Sequence, residues 1–265
     1  MTKPVLSIQN ASLTFGDSSV WSGLNLDVAA GEFIAVLGTN GSGKTSLLKA
    51  ILGQQKLTSG KILLNGSTVH HGSRAIGYIP QHRSVDESTP MRARDLLSLG
   101  LDGHKFGAPW ASANEKKRVN HILDCIDGHE LADKPVGKLS GGQFQRFRVG
   151  QAVIGEPDLL LADEPLSALD LAQQAVIANL IDQERKDHNA AVLFVTHDVN
   201  PVLSMVDRVL YLAGGKFRIG KPDEVLRSDV LSELYEAPID VVRNQGRIVV
   251  VGTKSHDHHD HEEWS

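Results

Sequence analysis

Residues 33–45 read Phe33-Ile34-Ala35-Val36-Leu37-Gly38-Thr39-Asn40-Gly41-Ser42-Gly43-Lys44-Thr45. The run from Phe33 to Leu37 is apolar throughout, the pattern of a strand buried on both faces. Thr45 to Leu52 reads as a helix closed by Gly53. A Gly-rich turn between a buried strand and a helix is the setting in which a phosphate loop works. Gly38, Gly41 and Gly43 permit backbone angles that turn successive N–H groups onto a phosphate. The helix start adds its positive dipole end. Lys44 supplies a full charge for the β- and γ-phosphates, and the Thr45 hydroxyl is placed for Mg²⁺. The candidate nucleotide contacts are Gly38, Asn40, Gly41, Ser42, Gly43, Lys44, Thr45 and Ser46. The plain alternative is an ordinary glycine turn. With Gly near about 7% of average composition, such a pattern arises by chance in roughly one chain in a hundred. The strand and helix flanks lower that further.

Working outward, Val5 to Asn10 alternates as a half-buried strand, and Leu24, Leu26 and Val28 mark a second. Lys61–Leu64 and Ala75–Ile79 are further short strands. Between about residues 84 and 155 the character changes. Met91–Leu101 and Ala113–Ile126 have helical spacing, with Val119, Ile122, Leu123 and Ile126 on one face. Strand signals resume at Leu159–Ala162, Ala191–Val195 and Val209–Ala213. Leu171–Lys186 reads as a helix burying Ala172, Val176 and Leu180. Gly214-Gly215 turns the chain into Lys216–Ile219, and Ile239–Val251 alternates as a small C-terminal hairpin. This order predicts a three-layer α/β core with a largely parallel sheet and a helical insertion.

The 265 residues carry 41% hydrophobic side chains, enough for a sizeable core, and a net charge of −5, which argues against a nucleic-acid surface. The single cysteine, Cys125, excludes an internal disulfide framework and, in its helical pattern, reads as a buried structural thiol. No signal-peptide core follows the N-terminus, and no run of about 18 apolar residues appears. These features lead us to expect a cytoplasmic protein that reaches a membrane only through a partner.

A second constellation lies at Leu159-Leu160-Leu161-Ala162-Asp163-Glu164. The apolar run drives a strand into the core, and two acids emerge at its carboxyl end, where ligands bind in open α/β sheets. Asp163 is expected to hold Mg²⁺, and Glu164 to orient and deprotonate an attacking water. Two acids at a strand end are more often a solvated turn; the phosphate loop reverses that reading.

Leu139-Ser140-Gly141-Gly142-Gln143 then narrows the field. Together with the two motifs above, it resembles the signature of ATP-binding cassette (ABC) ATPases over residues 5 to about 225. The resemblance implies a P-loop (RecA-like) core, an antiparallel β subdomain and a helical insertion. It implies that Phe15 stacks on adenine, that Gln81 senses the metal and γ-phosphate, and that His197 contacts the γ-phosphate. Ser167-Ala168-Leu169-Asp170 is similar to the loop through which paired subunits touch near both sites. Ser140, Gly141, Gly142 and Gln143 would complete the ATP site of a second copy, in a head-to-tail homodimer with two sandwiched nucleotides. Two departures stand out. Gly150-Gln151-Ala152 replaces the family's Ala-Arg-Ala, leaving a helix-to-core polar contact in doubt, and Leu166 follows Glu164-Pro165 where a small or polar residue is commoner.

A lone cassette without membrane spans resembles the ATPase of a bacterial importer, which docks on an integral-membrane permease and serves an extracytoplasmic solute-binding protein indirectly. The permease groove is expected near Gln81 and Ser84–Asp95. The stretch from Gly77 to Pro90, with Asp86, and the ending from Glu233 to Gly252 resemble the zinc and manganese importer branch. Residues 1–254 would form the ATPase domain, with the helical subdomain at about 84–155 and the β segment at about 239–252. In the 255–265 tail, His256, His258, His259 and His261 alternate with acids and are candidate transition-metal ligands, against the plainer reading of a solvated tail. His70-His71 reads as a loop. The competing classes are import of another solute, a soluble ABC ATPase acting on DNA or ribosomes, and a catalytically silent metal-binding module.

Overall fold

The computed structural model describes residues 3–69, 72–81, 86, 88–102, 112–167 and 169–252. Two strands, β1 (Leu6–Phe15) and β2 (Ser18–Val28), precede β3 (Phe33–Gly38), which feeds α1 (Lys44–Ile51). Then come β4 (Ser59–Leu64), β5 (Ser67–Thr68) and β6 (Ile76–Ile79). Helices α2 (Ala93–Asp102), α3 (Ala113–Cys125) and α4 (Gly141–Val153) follow. The chain returns through β7 (Leu159–Asp163), α5 (Leu171–His188), β8 (Ala191–Val195), β9 (Arg208–Ala213) and β10 (Lys216–Gly220). It continues through α6 (Pro222–Val225), α7 (Ser228–Tyr235), β11 (Ile239–Asn244) and β12 (Arg247–Gly252).

The central sheet runs β10-β9-β3-β8-β7-β6, parallel except for β10. A separate antiparallel sheet runs β2-β1-β4-β5, and β11 pairs only with β12. Pleating divides β3 between two cores. Phe33, Ala35 and Leu37 face the helices α2–α5, whereas Ile34 and Val36 face α1 and the antiparallel sheet. The expected mixed architecture is thus present, with β3 in the interior of the sheet and its loop at the carboxyl ends of the parallel strands.

Three expectations need correction. Helix α5 buries Ile177, Ala178, Leu180 and Ile181, while Val176 is exposed and Ala172 faces solvent. The apolar stripe is rotated by one position because Ile177 and Ile181 pair at four-residue spacing. Cys125 is half-buried rather than enclosed. Helices α6 and α7, absent from the sequence reading, cover the sheet through Val225, Leu231 and Leu234. His70 and His71 lie outside the described residues.

Both departures from the family pattern have packing reasons. A β-carbon on Gly150 would stand 2.7 Å from Ile122 and 2.9 Å from Leu97, so glycine lets α4 approach α2 and α3. Leu166 is buried in the helix-side core.

Beyond its bonds to α6 and α7, the C-terminal hairpin is tied to the segment after β8 through Asn200. Asn200 Nδ2 donates to the Ile248 carbonyl at 2.9 Å, and Ile248 N–H donates to Asn200 Oδ1 at 2.8 Å. Asp198 Oδ1 in turn accepts from Asn200 N and Nδ2 at 2.9 and 2.7 Å. Asn200→Ala leaves both Ile248 groups without this partner, at a cost of about 1–3 kcal/mol. Amide exchange at Ile248 should accelerate while Val192–Val195 in the central sheet keep their protection. Unchanged exchange at Ile248 would show that the pair does not hold the hairpin.

Candidate nucleotide site

The loop after β3 is shaped by its glycines. Gly38, Gly41 and Gly43 have φ of 144°, 80° and 91°. A β-carbon at Gly38 would overlap the Leu212 carbonyl, and one at Gly43 would overlap Val20 and lie 2.9 Å from Trp21. The loop is therefore wedged between β9 and β2, and only glycine fits its two ends. Thr39, Asn40 and Gly41 remain exposed at the crest.

Lys44 turns back over this crest and donates to the carbonyls of Gly38 and Thr39, both at 2.8 Å. It is 7% exposed. Burial pulls its ammonium below the ordinary lysine value, although the Glu164 and Asp163 charges oppose this. Asp163, 1% exposed, lies at the end of the neighbouring core strand β7. Burial pushes its carboxyl above the usual range, against the Thr45 hydroxyl that donates to it and the Lys44 charge. Asp163 Oδ2 and Ser42 Oγ are buried without a hydrogen-bond partner. These orphaned oxygens, with Thr45 beside them, suit a hard cation that takes oxygen ligands, so the residues present fit Mg²⁺.

Glu164 begins the turn after β7 with φ of 48°, a left-handed backbone that is uncommon outside glycine. The turn is pinned on both sides. Glu164 N–H donates to the Val195 carbonyl at 3.0 Å, and Ser167 Oγ donates to the Glu164 carbonyl at 3.0 Å. The resulting direction brings three sequence-predicted groups together. Gln81 Nε2 donates to Glu164 Oε2 at 3.2 Å, and His197 Nδ1 stands 3.6 Å from the same oxygen. Gln81, Glu164 and His197 follow β6, β7 and β8, three adjacent parallel strands.

The signature segment lies elsewhere on the chain surface. Ser140 caps α4 in a capping box: Gln143 N–H donates to Ser140 Oγ at 3.3 Å and Ser140 N–H to Gln143 Oε1 at 3.0 Å. Ser140 and Gly141 are exposed. Among the described residues, no hydrogen bond or ion pair joins Ser140–Gln143 to the phosphate loop. Asp170 caps α5, accepting from Gln173 N–H at 2.8 Å; Ala168 lies outside the described residues. Phe15 is 50% exposed at the β1–β2 turn, with an open face for a stacking partner. Ser46 is half-buried in the first turn of α1. The tail histidines His256, His258, His259 and His261 lie outside the described residues.

Gln145 was missed from the sequence. It is 2% exposed and donates from Nε2 to the Pro165 carbonyl at 3.1 Å, joining α4 to the turn after Glu164. This supplies a helix-to-core polar contact of the kind that the Gly150-Gln151-Ala152 departure placed in doubt. A polar residue in the middle of α4 was the available signal, since a buried amide requires a partner.

Comparisons with known proteins agree with this geometry. The ABC transporter family model matches residues 21–167. The zinc import ATP-binding protein ZnuC of Marinobacter nauticus is 32% identical over 89% of this chain and 84% of its own length. The manganese transport system ATP-binding protein MntB of Halalkalibacterium halodurans is 29% identical, over 94% and 98%. A solved inward-facing putative metal-chelate type ABC transporter has a chain 28% identical with a TM-score of 0.77, covering 96% of this chain and 99% of its own.

The raised Asp163 pKa carries a sign for stability. Between the unfolded and folded values the native state binds more protons, so ionising Asp163 costs stability as pH rises through that window. Asp163→Asn keeps an oxygen for the Thr45 hydroxyl and should raise the melting temperature of the nucleotide-free protein at neutral pH. The gain should shrink as pH falls toward the unfolded carboxylate value. A lower melting temperature at neutral pH would contradict this account.

Proposed function

The chain belongs to the ABC transporter family, and from that premise we propose that it is the ATP-hydrolysing, energy-coupling subunit of a membrane importer for zinc or manganese. The convergence of Gln81 and His197 on the Glu164 carboxylate, beside Lys44 and Asp163, carries the reading. Glu164 orients the attacking water and takes its proton. His197 contacts the γ-phosphate, and Gln81 senses whether that phosphate is present. The backbone from Gly38 to Ser46 cradles the phosphates, Lys44 leaves its loop carbonyls to bridge the β- and γ-oxygens, and Phe15 stacks on the adenine. Thr45, Asp163 and Gln81 hold Mg²⁺, which when bound neutralises charge developing on the phosphates.

Family subunits form dimers and act in complexes with membrane permease components. In a head-to-tail pair, Ser140, Gly141, Gly142 and Gln143 of one subunit close on the nucleotide held by the other, with Asp170 at the contact. ATP then favours the closed pair because it touches both subunits there. Residues 84–155 act as the helical subdomain of a 1–254 ATPase domain and residues 239–252 as its terminal β segment; residues 255–265 lie outside the described ones.

A 670 Å³ cavity, lined by Lys49, Arg74, Tyr78, Leu99, Leu101 and Arg148 among others, supports permease docking. It opens between α1, β6, α2 and α4, next to the expected groove; Gln81 is not part of its lining, and residues 82–85 lie outside the described ones. Its apolar and basic lining suits a short amphipathic helix with acidic residues. No helix among the described residues is long and apolar enough to cross a membrane. On the importer reading, the subunit works at the cytoplasmic face through the permease, and meets an extracytoplasmic solute-binding protein only indirectly. The zinc or manganese cargo passes through the permease, and the names of the relatives above support that cargo.

Glu164→Gln should lower ATP turnover by about 10²–10⁴-fold. It should retain ATP binding and accumulate as a dimer with ATP and Mg²⁺ in size-exclusion chromatography; a persistent monomer would count against the sandwich. Arg74→Glu should weaken co-purification with the native permease and lower zinc or manganese uptake while leaving ATP affinity unchanged. Full uptake by that variant would remove the cavity from the docking surface.

A further inference from the structure

A second group of donor side chains lies away from the nucleotide, between the insertion and the core. On α3, His121 and Cys125 are spaced by one helical turn, with His121 Nε2 3.8 Å from Cys125 Sγ. On α5, Glu184 and His188 repeat that spacing, with His188 Nε2 3.4 Å from Glu184 Oε2. In a tetrahedral zinc site, bond lengths of about 2.0–2.3 Å put neighbouring ligand atoms about 3.3–3.8 Å apart. Each helix therefore carries half of such a site at close to the required bite.

His121, Glu184 and His188 line a shared 320 Å³ cavity, with Lys117, Arg118 and Glu156 at its sides; Cys125, one turn along α3 from His121, stands outside that lining. Glu184 is 8% exposed; His188 is its ion-pair partner among the described residues, and the His121 and Arg118 charges also act on it. The lining cation Arg118 is already paired with Glu156 at 2.8 Å and donates to the Ile154 carbonyl. The second His188 nitrogen, Nδ1, stands 3.8 Å from Glu156 Oε1, where a carboxylate can orient a metal-bound imidazole. Exposed His121 and His188 give an ion a path from solvent.

We propose that His121, Cys125, Glu184 and His188 form a binding site for a zinc-class transition-metal ion that bridges α3 to α5. Thiolate and imidazole select such ions over Mg²⁺. Among the described residues no group of three such donors already surrounds one point, so the ion closes the two pairs by drawing their side chains across the cavity. Binding releases the Cys125 proton to solvent and takes both imidazoles neutral. Burial and the nearby Glu184, Asp124 and Asp187 charges hold the thiol above its usual value in the ion-free protein. The bound ion fastens the helical insertion to the core at a second place, apart from its link at Gln145. The site stands independently of the importer's cargo.

Cys125 is the only cysteine in the chain, which makes the test specific. The full-length protein, reduced and free of metal, is titrated with Co²⁺ and its absorption followed. A sulfur-to-cobalt charge-transfer band with intense tetrahedral ligand-field bands is expected. Replacing all four tail histidines by alanine should leave these bands intact, because the tail has no sulfur. C125S should abolish the charge-transfer band, and H121A, H188A and E184Q should each weaken or remove it without loss of the folded circular-dichroism signal. The proposal is overturned if no sulfur band forms once the histidine-only sites are saturated. It is overturned equally if the band survives H188A and E184Q unchanged, or disappears with the tail histidines.

Discussion

Asp163 ends a strand whose five residues are all buried, so its carboxylate meets the surrounding chain before it meets water. That placement constrains the rest of the nucleotide end. The charge needs nearby donors, and Thr45 and Lys44 are supplied by the one turn able to bring them there. The turn requires glycine where it passes Leu212 and Trp21. One carboxylate oxygen still lacks a partner, which leaves the site with a deficit of positive charge. Burial therefore orders the loop and leaves an oxygen of the kind that a hard cation takes.

The turn beyond Asp163 distributes that order to the rest of the molecule. Glu164 adopts a left-handed backbone held by Val195 and Ser167, directing its carboxylate toward Gln81 and His197. The next residue, Pro165, accepts from Gln145 on α4, and Gln174 on α5 donates to the carbonyls of Leu166 and Leu169 at 3.3 and 3.2 Å. A short segment thus joins the Gln81–Glu164–His197 cluster to helices α4 and α5. A change in one can be felt in the others through contiguous hydrogen bonds.

The parallel core was legible because its strands are buried on both faces and therefore written without polar interruption, as in Phe33–Leu37 and Leu159–Ala162. The proximity of Gln81, Glu164 and His197 was legible because each follows one of the short buried strands. Helix α5 was harder to read: Val176 and Ile177 are adjacent apolar residues, and periodicity alone did not choose which faced inward. Helices α6 and α7 are short, and their burial against the sheet is a tertiary fact. Gln145 with Pro165, Asn200 with Ile248, and the donors on α3 and α5 are distant in sequence. Their pairing depends on packing that no local pattern encodes.

The bond between Asn200 and Ile248 also has a consequence in time. Synthesis runs from the N-terminus, so His197 and its loop leave the ribosome well before the strand that steadies them. Until residue 248 has emerged, Asn200 lacks its backbone partner on β12, and the loop carrying His197 lacks its only described tie to the C-terminal hairpin. The glycine loop after β3, wedged between β9 and β2, can be assembled earlier than the contact behind His197. Nascent chains thus acquire that loop before the contact that links the segment after His197 to β12, so β12 completes an end of the molecule that the first strands began.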